Sequence, residues 1–460
     1  MFPLTKNDWY QKRDDRTKRV DTTGFESFSL DVIVSPRIKS SYSIQVMTVT
    51  SLNMLARWCR KIRVQIPDAK SFLLNSLDEK IEKILQKELP RIDPYGEFAF
   101  GNIEADEYGQ ILFIGSPEQK IEQPNDRAVW IDSSGWIAGV GSGTPADTIK
   151  KDSSRNPVGP AFASCLGVAE LFRRAVGMPA SLNKRSWYSM YDYSKINDPN
   201  EGVSASYVPR FDFGRIHQVG CGAVGSSLDF LLSLTDWRAE LHLIDYDKIE
   251  VSNCNRSLTF TANDAVNCRK KIDSCADILK GNITPVKFDG SYGDFVKAGR
   301  FLDFPADLIL CLANEQNVWA TIQSNIPPLT FHVTTTPNWA INFGRHIPKK
   351  EWCIMCRFSK DIDHHFTPPC SEGEIKNPGK AIVGVLPFLS TTAASLILAE
   401  MAKIQLPDYP VNNDFVAYSA KTAGSDFLQL QIKADDGCDC TMQPILRHLT
   451  NSKFWSLSTK

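Results

Sequence analysis

The stretch from residue 216 to residue 271 constrains the fold and function of this chain more than any other. A short apolar segment runs into a turn that contains three glycines, Gly220, Gly222 and Gly225. An amphipathic segment (226–234) follows, and a second apolar segment (241–244) ends on Asp245, 20 positions after the last glycine. This order predicts a strand, a tight turn, a helix and a second strand. The turn can bind phosphate through its N–H groups, and the carboxylate can accept ribose hydroxyls. The sequence therefore predicts a nucleotide site.

Polar and charged side chains follow the second predicted strand closely. The candidate nucleotide-binding residues among them are Asp247, Asn253, Arg256 and Lys270. A dinucleotide-dependent oxidoreductase has no use for the two cations among them, Arg256 and Lys270. A triphosphate, in contrast, needs its charge neutralised before a carboxylate attacks the α-phosphorus. The pattern favours ATP over a dinucleotide. A solvated loop with ordinary surface charges is the alternative that the spacing alone leaves open.

The motifs GCGAVGS and LIDYDKIEVSNCNR, with a lysine at position 270, resemble a known adenylation domain. Ubiquitin-activating (E1) enzymes and the sulfur-carrier activators of the MoeB and ThiF type share it. The resemblance implies that Asp245 binds the ribose of ATP and that Asn253, Arg256 and Lys270 contact its phosphates. It also implies an α/β fold with Rossmann-like, mostly parallel sheets and helices on both faces.

Two positions depart from the family pattern. The family carries Gln where this chain has Ser257, and an aspartate for Mg²⁺ where this chain has Asn314. An amide oxygen can coordinate Mg²⁺ but brings no charge. We therefore expect an ATP and Mg²⁺ site that includes Asn314, with Glu315 as a further ligand or with the metal held differently.

Two cysteine pairs stand far apart in the second half: Cys353 with Cys356, and Cys438 with Cys440. Four thiolates are what a closed tetrahedral Zn²⁺ site requires, and such a site is structural because no position is left for a substrate. The resemblance supports zinc, since many family members carry a cysteine pair at both places. Four buried free thiols are the alternative.

Cys370 is the candidate nucleophile. It lies in the proline-rich segment Phe366–Ser371, where it is expected to be accessible, and a thiolate can take an acyl group from an acyl-adenylate. Ubiquitin-like activators carry their thioester-forming cysteine in this crossover segment. The resemblance thus implies a catalytic role for Cys370, with a loop cysteine that has no chemistry as the alternative.

Two segments of the first half resemble segments of the second half in their sequence pattern. The segment 44–68 has the order of 216–245 but lacks the glycines, with Thr48–Thr50 at the turn. The segment 156–172 matches 377–400 as a helix rich in small residues. We therefore predict a pseudodimer of a degenerate, inactive adenylation-like domain (1–200) and an active one (201–460), joined by a linker at 194–214.

In the paired family, an arginine of the partner half enters the ATP site. It comes from a segment upstream of the first strand, so the candidates here are Arg13, Arg16 and Arg19, of which we retain Arg16 and Arg19. An ordinary surface arginine is the alternative for each.

Composition excludes several classes of function. A net charge of −1 over 460 residues offers nothing to nucleic acid or to an anionic membrane surface. No apolar run approaches the length of a membrane span, and the N-terminal segment is unlike a signal peptide. Twelve cysteines without such a signal favour thiols, metal ligands or catalysis over disulfides. We expect a cytoplasmic enzyme.

The resemblance implies a two-step activator. It would adenylate the C-terminus of a ubiquitin-like protein with ATP, form a thioester at Cys370, and hand the product to an E2-like conjugating enzyme. The short segment after Cys440 leaves no room for a recruiting ubiquitin-fold domain, so the architecture resembles the compact E1-like proteins of bacterial, antiviral ubiquitination-like operons. The alternatives are a sulfur-carrier adenylyltransferase and a binding module without catalysis. A homodimer of the whole chain is compatible with the sequence.

Overall fold

The structure is a computed structural model that describes most of the chain. The described residues are 2–17, 22–103, 109–116, 124, 126–143, 145, 149, 154–178, 182, 185–201, 210–279, 281–336, 338–357, 386–406, 413–422, 424–435, 438, 440 and 444–459. Two of the predicted site residues, Arg19 and Cys370, lie outside the described residues.

The first half forms an eight-stranded mixed sheet. Its central strands are short apolar runs because they are buried on both faces. They are β1 (Ser29–Val34), β2 (Lys61–Gln65), β3 (Glu97–Phe100), β4 (Gln110–Ile114), β5 (Ala128–Ser134), β6 (Ile137–Ser142), β7 (Ser186–Ser189) and β8 (Ser194–Ile196). The helices are α1 (Lys6–Arg13), α2 (Tyr42–Leu55), α3 (Ile81–Ile92) and α4 (Val158–Ala175). The spatial order is β3-β2-β1-β4-β5-β6-β7-β8, with the first five strands parallel and the last three antiparallel to their neighbours.

The second half forms another eight-stranded sheet. Its strands are β9 (Asp212–Val219), β10 (Arg238–Asp245), β11 (Ile283–Asp289), β12 (Leu308–Cys311), β13 (Leu329–Thr335), β14 (Ala340–His346), β15 (Phe415–Ser419) and β16 (Leu428–Leu430). The helices between β9 and β15 are α5 (Ala223–Leu232), α6 (Ala262–Val266), α7 (Lys271–Ile278), α8 (Tyr292–Lys297), α9 (Arg300–Asp303), α10 (Gln316–Ser324) and α11 (Pro387–Lys403). Two short helices follow, α12 (Arg447–Thr450) and α13 (Ser456–Thr459).

The two sheets have one topology. The order of the second, β11-β10-β9-β12-β13-β14-β15-β16, repeats that of the first strand for strand, including the change from parallel to antiparallel pairing. Such a match in order and direction indicates a duplicated unit. The predicted fold class is confirmed: the protein is α/β, with two Rossmann-like halves.

The predicted alignment of the two halves was wrong by one element. The counterpart of β9 is β1, which lies upstream of the segment 44–68, and Thr48–Thr50 lies in the middle of α2 rather than in a turn. The remaining correspondences hold, since Trp58 and Trp237 each precede the second strand of their half. The turn after β1 is a 3₁₀ helix, Pro36–Lys39, which has no glycine.

The predicted linker 194–214 is partly strand. Ser194–Ile196 is β8, which pairs with β7, and β9 begins at Asp212. The linker is shorter than predicted because β8 is a polar edge strand of three residues, and its composition cannot be distinguished from that of a loop. The small-residue helix expected from residue 377 begins at Pro387, and residues 377–385 lie outside the described part of the chain.

The halves pack through the two helices that are rich in small residues. Helix α4 of the first half packs on α11 of the second, which in turn packs on α5. The rings of Phe172 and Phe388 meet with centroids 5.4 Å apart, and the Tyr193 hydroxyl donates to Glu400 at 2.7 Å. Buried apolar and aromatic contacts therefore fix the two halves against each other. No helix among the described residues is both long and apolar enough to cross a membrane.

Candidate nucleotide site and cysteine cluster

The glycine turn between β9 and α5 has a different physical role for each glycine. Gly220 has φ of +105°, and a Cβ there would lie 3.0 Å from the Ala313 nitrogen. A Cβ on Gly225 would lie 2.3 Å from the Gly220 oxygen, so this glycine allows the helix to pack on the turn. Nothing lies within 4 Å of a Cβ placed on Gly222. The turn is therefore tight at its first and third glycines and open at the second, where a phosphate can approach the backbone.

Asp245 is fixed at the end of β10 beside this turn. Its carboxylate accepts N–H bonds from Cys221 at 2.7 Å and from Asp247 at 2.8 Å. Burial raises the pKa of Asp245, although Lys271 and the two N–H donors act to lower it. The two backbone bonds orient the carboxylate without using all of its acceptor capacity. It can therefore still accept ribose hydroxyls.

Three carboxylates and one lysine converge at this edge of the sheet. Lys271, 7% exposed, places Nζ 2.5 Å from Asp247 Oδ2. Burial, together with the charges of Asp245 and Asp247, raises the pKa of Glu315. Asn314 is exposed on the loop after β12. A hard cation such as Mg²⁺ suits this group of oxygens, and the lysine suits the phosphate that would accompany the metal.

Lys270 points elsewhere. Its Nζ forms an ion pair with Asp289, at the end of the neighbouring strand β11, and both side chains are more than 40% exposed. Lys270 stands at the position before α7, whereas Lys271 is the first residue of that helix. The backbone therefore sends the two adjacent side chains in different directions.

The loop that carries Asn253, Asn255 and Arg256, here called the phosphate loop, is held by the first half. Asn253 closes a capping box by accepting the Glu250 N–H at 3.0 Å, and Arg256 Nη1 donates to Asn255 Oδ1 at 2.8 Å and to the Ser252 oxygen. Asn255 donates to Thr17 Oγ1 at 3.1 Å. The segment that precedes β1, here called the N-terminal arm, therefore reaches the candidate nucleotide site of the second half.

The arginines of this arm differ in their surroundings. Arg13 is fully buried and binds Asp14 and Asp93, each at 2.7 Å. Arg16 is half-buried and stands next to Thr17, the residue that contacts the phosphate loop. Of the described arginines in the arm, Arg16 is therefore the candidate for the nucleotide site, while Arg19 lies outside the described residues.

The two cysteine pairs meet in space. Cys353 Sγ lies 3.8 Å from Cys356 Sγ and 3.5 Å from Cys438 Sγ, and Cys356 Sγ lies 3.5 Å from Cys440 Sγ. Sulfurs about 3.8 Å apart form the edges of a tetrahedron around zinc with Zn–S bonds of about 2.3 Å. The four thiols fit a closed Zn²⁺ site that ties the segment after β14 to the segment after β16.

Replacing Cys438 by Ser tests this site. We expect the variant to lose one equivalent of zinc and to unfold at a lower temperature, because the metal links segments about 85 residues apart in sequence. Zinc content by inductively coupled plasma mass spectrometry and a thermal melt measure both effects. Cys59→Ser is the control, since Cys59 is buried in the first half. Unchanged zinc content in the Cys438 variant would mean that the four thiols are not ligands.

Helix α11 brings the chain back to the candidate site. Ser390, in the first turn of this helix, donates to the Arg256 oxygen at 2.9 Å and lies 3.4 Å from Ser227 Oγ of α5. Cys370 precedes Leu386, the residue before α11, by 16 positions. A 16-residue segment spans at most about 50–58 Å when fully extended.

Family models match both halves of the chain. Residues 210–292 match the ThiF family, and residues 29–190 match the BilD N-terminal domain. The predicted resemblance to the E1-like ThiF family is confirmed over residues 210–292. The first half is similar to the BilD N-terminal domain, so the resemblance extends to the BilD type.

More distant similarities cover less. The uncharacterized protein y4jF of Sinorhizobium fredii is 31% identical over 131 residues, 28% of this chain and 24% of that protein. The match thus spans about a quarter of the curated relative. Among solved structures, E. coli MccB with selenomethionine MccA superposes with a TM-score of 0.38 and 17% identity over 50% of this chain and 66% of that one. E. coli MccB with ATP superposes with a TM-score of 0.37 and 15% sequence identity. That match covers 70% of this chain and 100% of the MccB chain.

Sequence reasoning missed several residues of the site. Lys271 could not be separated from Lys270, because adjacent lysines before a helix give one signal. Arg57, which holds the phosphate loop from the first half, lies in the segment 44–68, where the sequence predicts an amphipathic helix and no contact with the other half. The buried cluster of Cys221, Asp229 and Cys275 joins residues up to 54 positions apart. The Asp in the middle of an otherwise apolar helix was the one signal available.

Proposed function

We propose that this protein activates a ubiquitin-like protein in two steps: ATP-dependent adenylation of its C-terminal carboxylate, and transfer of the acyl group to Cys370. The observation that carries the proposal is the convergence at one sheet edge of an open glycine turn, an oriented carboxylate and a buried lysine. The match of residues 210–292 to the ThiF family supports ATP as the nucleotide.

In the first step, a carboxylate oxygen of the ubiquitin-like protein attacks the α-phosphorus of ATP. The bond to the β-phosphate oxygen breaks, and pyrophosphate leaves. Asp245 holds the ribose, the turn at Gly222 admits the phosphates, and Lys271 neutralises charge that develops on them. Asn253 and Arg256 complete the phosphate contacts that the family resemblance implies, whereas Lys270, which the resemblance also implies, pairs with Asp289 in the structure. Asp247, Glu315 and Asn314 provide the oxygens that would hold Mg²⁺.

The arm of the first half contributes to the same step. Thr17 already contacts the phosphate loop through Asn255, and Arg16 and Arg19 flank Thr17 in sequence. One of these two arginines would bring positive charge to the triphosphate from the other half of the pseudodimer.

In the second step, the thiolate of Cys370 attacks the carbonyl carbon of the acyl-adenylate. The carbon–oxygen bond to AMP breaks, AMP leaves, and a thioester forms, while the thiol proton passes to solvent. An E2-like conjugating enzyme would then accept the acyl group. The match to the BilD N-terminal domain supports this partner and a role in a bacterial, antiviral ubiquitination-like system.

The test combines the purified protein with ATP, Mg²⁺ and ubiquitin-like proteins encoded by neighbouring genes. We expect a covalent adduct on non-reducing gels that a thiol reductant removes. Cys370→Ala should abolish the adduct completely while ATP–pyrophosphate exchange continues. Cys268→Ala is the matched control, since Cys268 is exposed and lies on the second half.

Three outcomes would contradict this proposal in different ways. Exchange without any reductant-sensitive adduct would remove the thioester step and favour a sulfur-carrier adenylyltransferase. Absence of exchange and of ATP binding would remove the adenylation step itself and favour a binding module. An adduct that survives in the Cys370 variant but not in the Cys268 variant would move the nucleophile.

A further inference from the structure

A cluster of three buried side chains lies directly behind the glycine turn. Cys221 belongs to the turn itself, Asp229 to the middle of α5, and Cys275 to α7, and none of the three is exposed to solvent. The backbone N–H of Cys221 donates outward to Asp245. The side chain of Cys221 lies inside, so that the turn, α5 and α7 meet at this cluster.

We propose that Cys221, Asp229 and Cys275 form a second zinc site, separate from the four-cysteine cluster. One ligand atom of each residue lies within 4.8 Å of the other two. One ion with bonds of about 2.3 Å to sulfur and about 2.0–2.2 Å to a carboxylate oxygen can bridge such a triangle after small side-chain movements.

The hydrogen bonding of the cluster is incomplete in a way that a cation would satisfy. Asp229 Oδ2 accepts a bond from Gln218 Nε2 at 3.1 Å, but Asp229 Oδ1 and Gln218 Oε1 are buried and have no hydrogen-bond partner within the part of the chain that the structure describes. A buried acceptor with no donor costs about 1–3 kcal/mol, and more when it is charged. Among the described residues, the side chains that act on the Asp229 carboxyl are Cys275 and Gln218, and neither is a cation.

The chemistry of the donors selects the metal. Two thiols and one carboxyl suit Zn²⁺, whereas Mg²⁺ and Ca²⁺ take only oxygen. Binding would release the two thiol protons, and any proton on Asp229, to solvent, and would leave one net negative charge on three anions and one divalent cation.

Gln218 can supply the fourth ligand. Its Nε2 lies 3.1 Å from Asp229 Oδ2 and 3.9 Å from Cys221 Sγ, and a half-turn of the amide would bring Oε1 to the same place. Four protein ligands make the site closed and therefore structural. The ion would fasten the glycine turn to α5 and α7, which support it from behind.

The first measurement is the zinc content of the full-length protein as purified, which does not depend on ATP chemistry. We expect two zinc ions per chain. The double variant Cys221→Ser/Cys275→Ser should retain one, the double variant Cys438→Ser/Cys440→Ser should retain the other, and Cys59→Ser should retain both. Asp229→Asn keeps the shape but loses the charge, and should bind zinc at least about tenfold more weakly against a competing chelator.

A single zinc that disappears with Cys438 and Cys440 would overturn the proposal. So would a wild-type chain with one zinc that is lighter by two hydrogens because Cys221 and Cys275 form a disulfide. If the Cys221/Cys275 variant does not fold, native mass spectrometry of the wild-type protein still decides the number of ions. These outcomes leave the proposed adenylation untouched, and failure of adenylation leaves the zinc count untouched.

Discussion

Lys271→Ala is expected to reduce ATP–pyrophosphate exchange by about 10²–10³-fold, whereas Lys270→Ala should change it by less than about tenfold. Lys271 is the lysine that faces Asp245, Asp247 and Glu315, and its Nζ is nearly buried. A cation in such a place acts on phosphate charge through a poorly screened medium. Lys270 is exposed to solvent and forms an ion pair with Asp289, so its charge is screened.

The adjacent lysines are matched controls for each other. Lys271→Arg should recover part of the activity because it restores the charge but not the shape. Both Ala variants should melt close to the wild-type temperature. In the Lys271 variant, the Asp247 carboxylate loses its partner, but its side chain is 42% exposed and can be solvated by water. If Lys270→Ala is the more damaged variant, the phosphate contact belongs to Lys270, as the family resemblance implies. If neither variant loses activity, this sheet edge is not the ATP site.

The second half was predictable because its signals are local. The glycine turn of β9 and α5, and the carboxylate at the end of β10, follow from residues close in sequence whose types have few structural alternatives. The cysteine pairs were predictable for another reason. Four thiols in two pairs suit one tetrahedral ion, so their chemistry joins positions that no local pattern connects.

The first half was harder because burial overrides propensity. Helix α2 is buried on nearly every side, so Ile44–Thr50 shows no amphipathic period and its β-branched residues favour a strand. The true first strand, β1, is β-like in sequence, but no local signal marks it as the counterpart of β9. Only the sheet order shows which segment pairs with β2 and β4.

The direction of a side chain was also beyond the sequence. Lys270 and Lys271 differ by one residue, yet only the second begins α7, and this decides which of them faces the carboxylates. Arg57 illustrates the same limit across the two halves. Its partners are carbonyl groups of a loop about 200 positions away, and a backbone carbonyl leaves no mark in a sequence.

Arg57→Met is expected to lower the free energy of unfolding by about 3–5 kcal/mol. The fully buried guanidinium donates to the carbonyls of Cys254 at 2.8 Å, Leu258 at 2.7 Å and Phe260 at 3.2 Å. Its Nε donates to Asn53, which itself donates to the Leu258 oxygen. Met fills similar space but satisfies none of these acceptors. Burial lowers the pKa of Arg57 to about 9, so the group still carries its charge at neutral pH.

The same contacts connect the degenerate half to the chemistry of the active one. Arg57 belongs to the first half, and the three carbonyls that it binds flank Arg256 and Ser257 in the phosphate loop. Thr17 holds Asn255 of the same loop. A half without a glycine turn can therefore serve the reaction by fixing the loop of its partner. Loss of Arg57 should raise the KM for ATP in pyrophosphate exchange, measured well below the melting temperature.

The control is Arg91→Met, which removes an exposed arginine from helix α3 of the same half. Arg91 pairs with Glu88 on the same helix, more than half of its side chain is exposed, and the pair should contribute less than about 1 kcal/mol. Chemical denaturation and ATP–pyrophosphate exchange should be measured on both variants. If Arg57→Met unfolds no more easily than Arg91→Met, the contacts between the halves are not a source of stability. If it is destabilised but its KM for ATP is unchanged, the first half supports the fold of the second without shaping its nucleotide site.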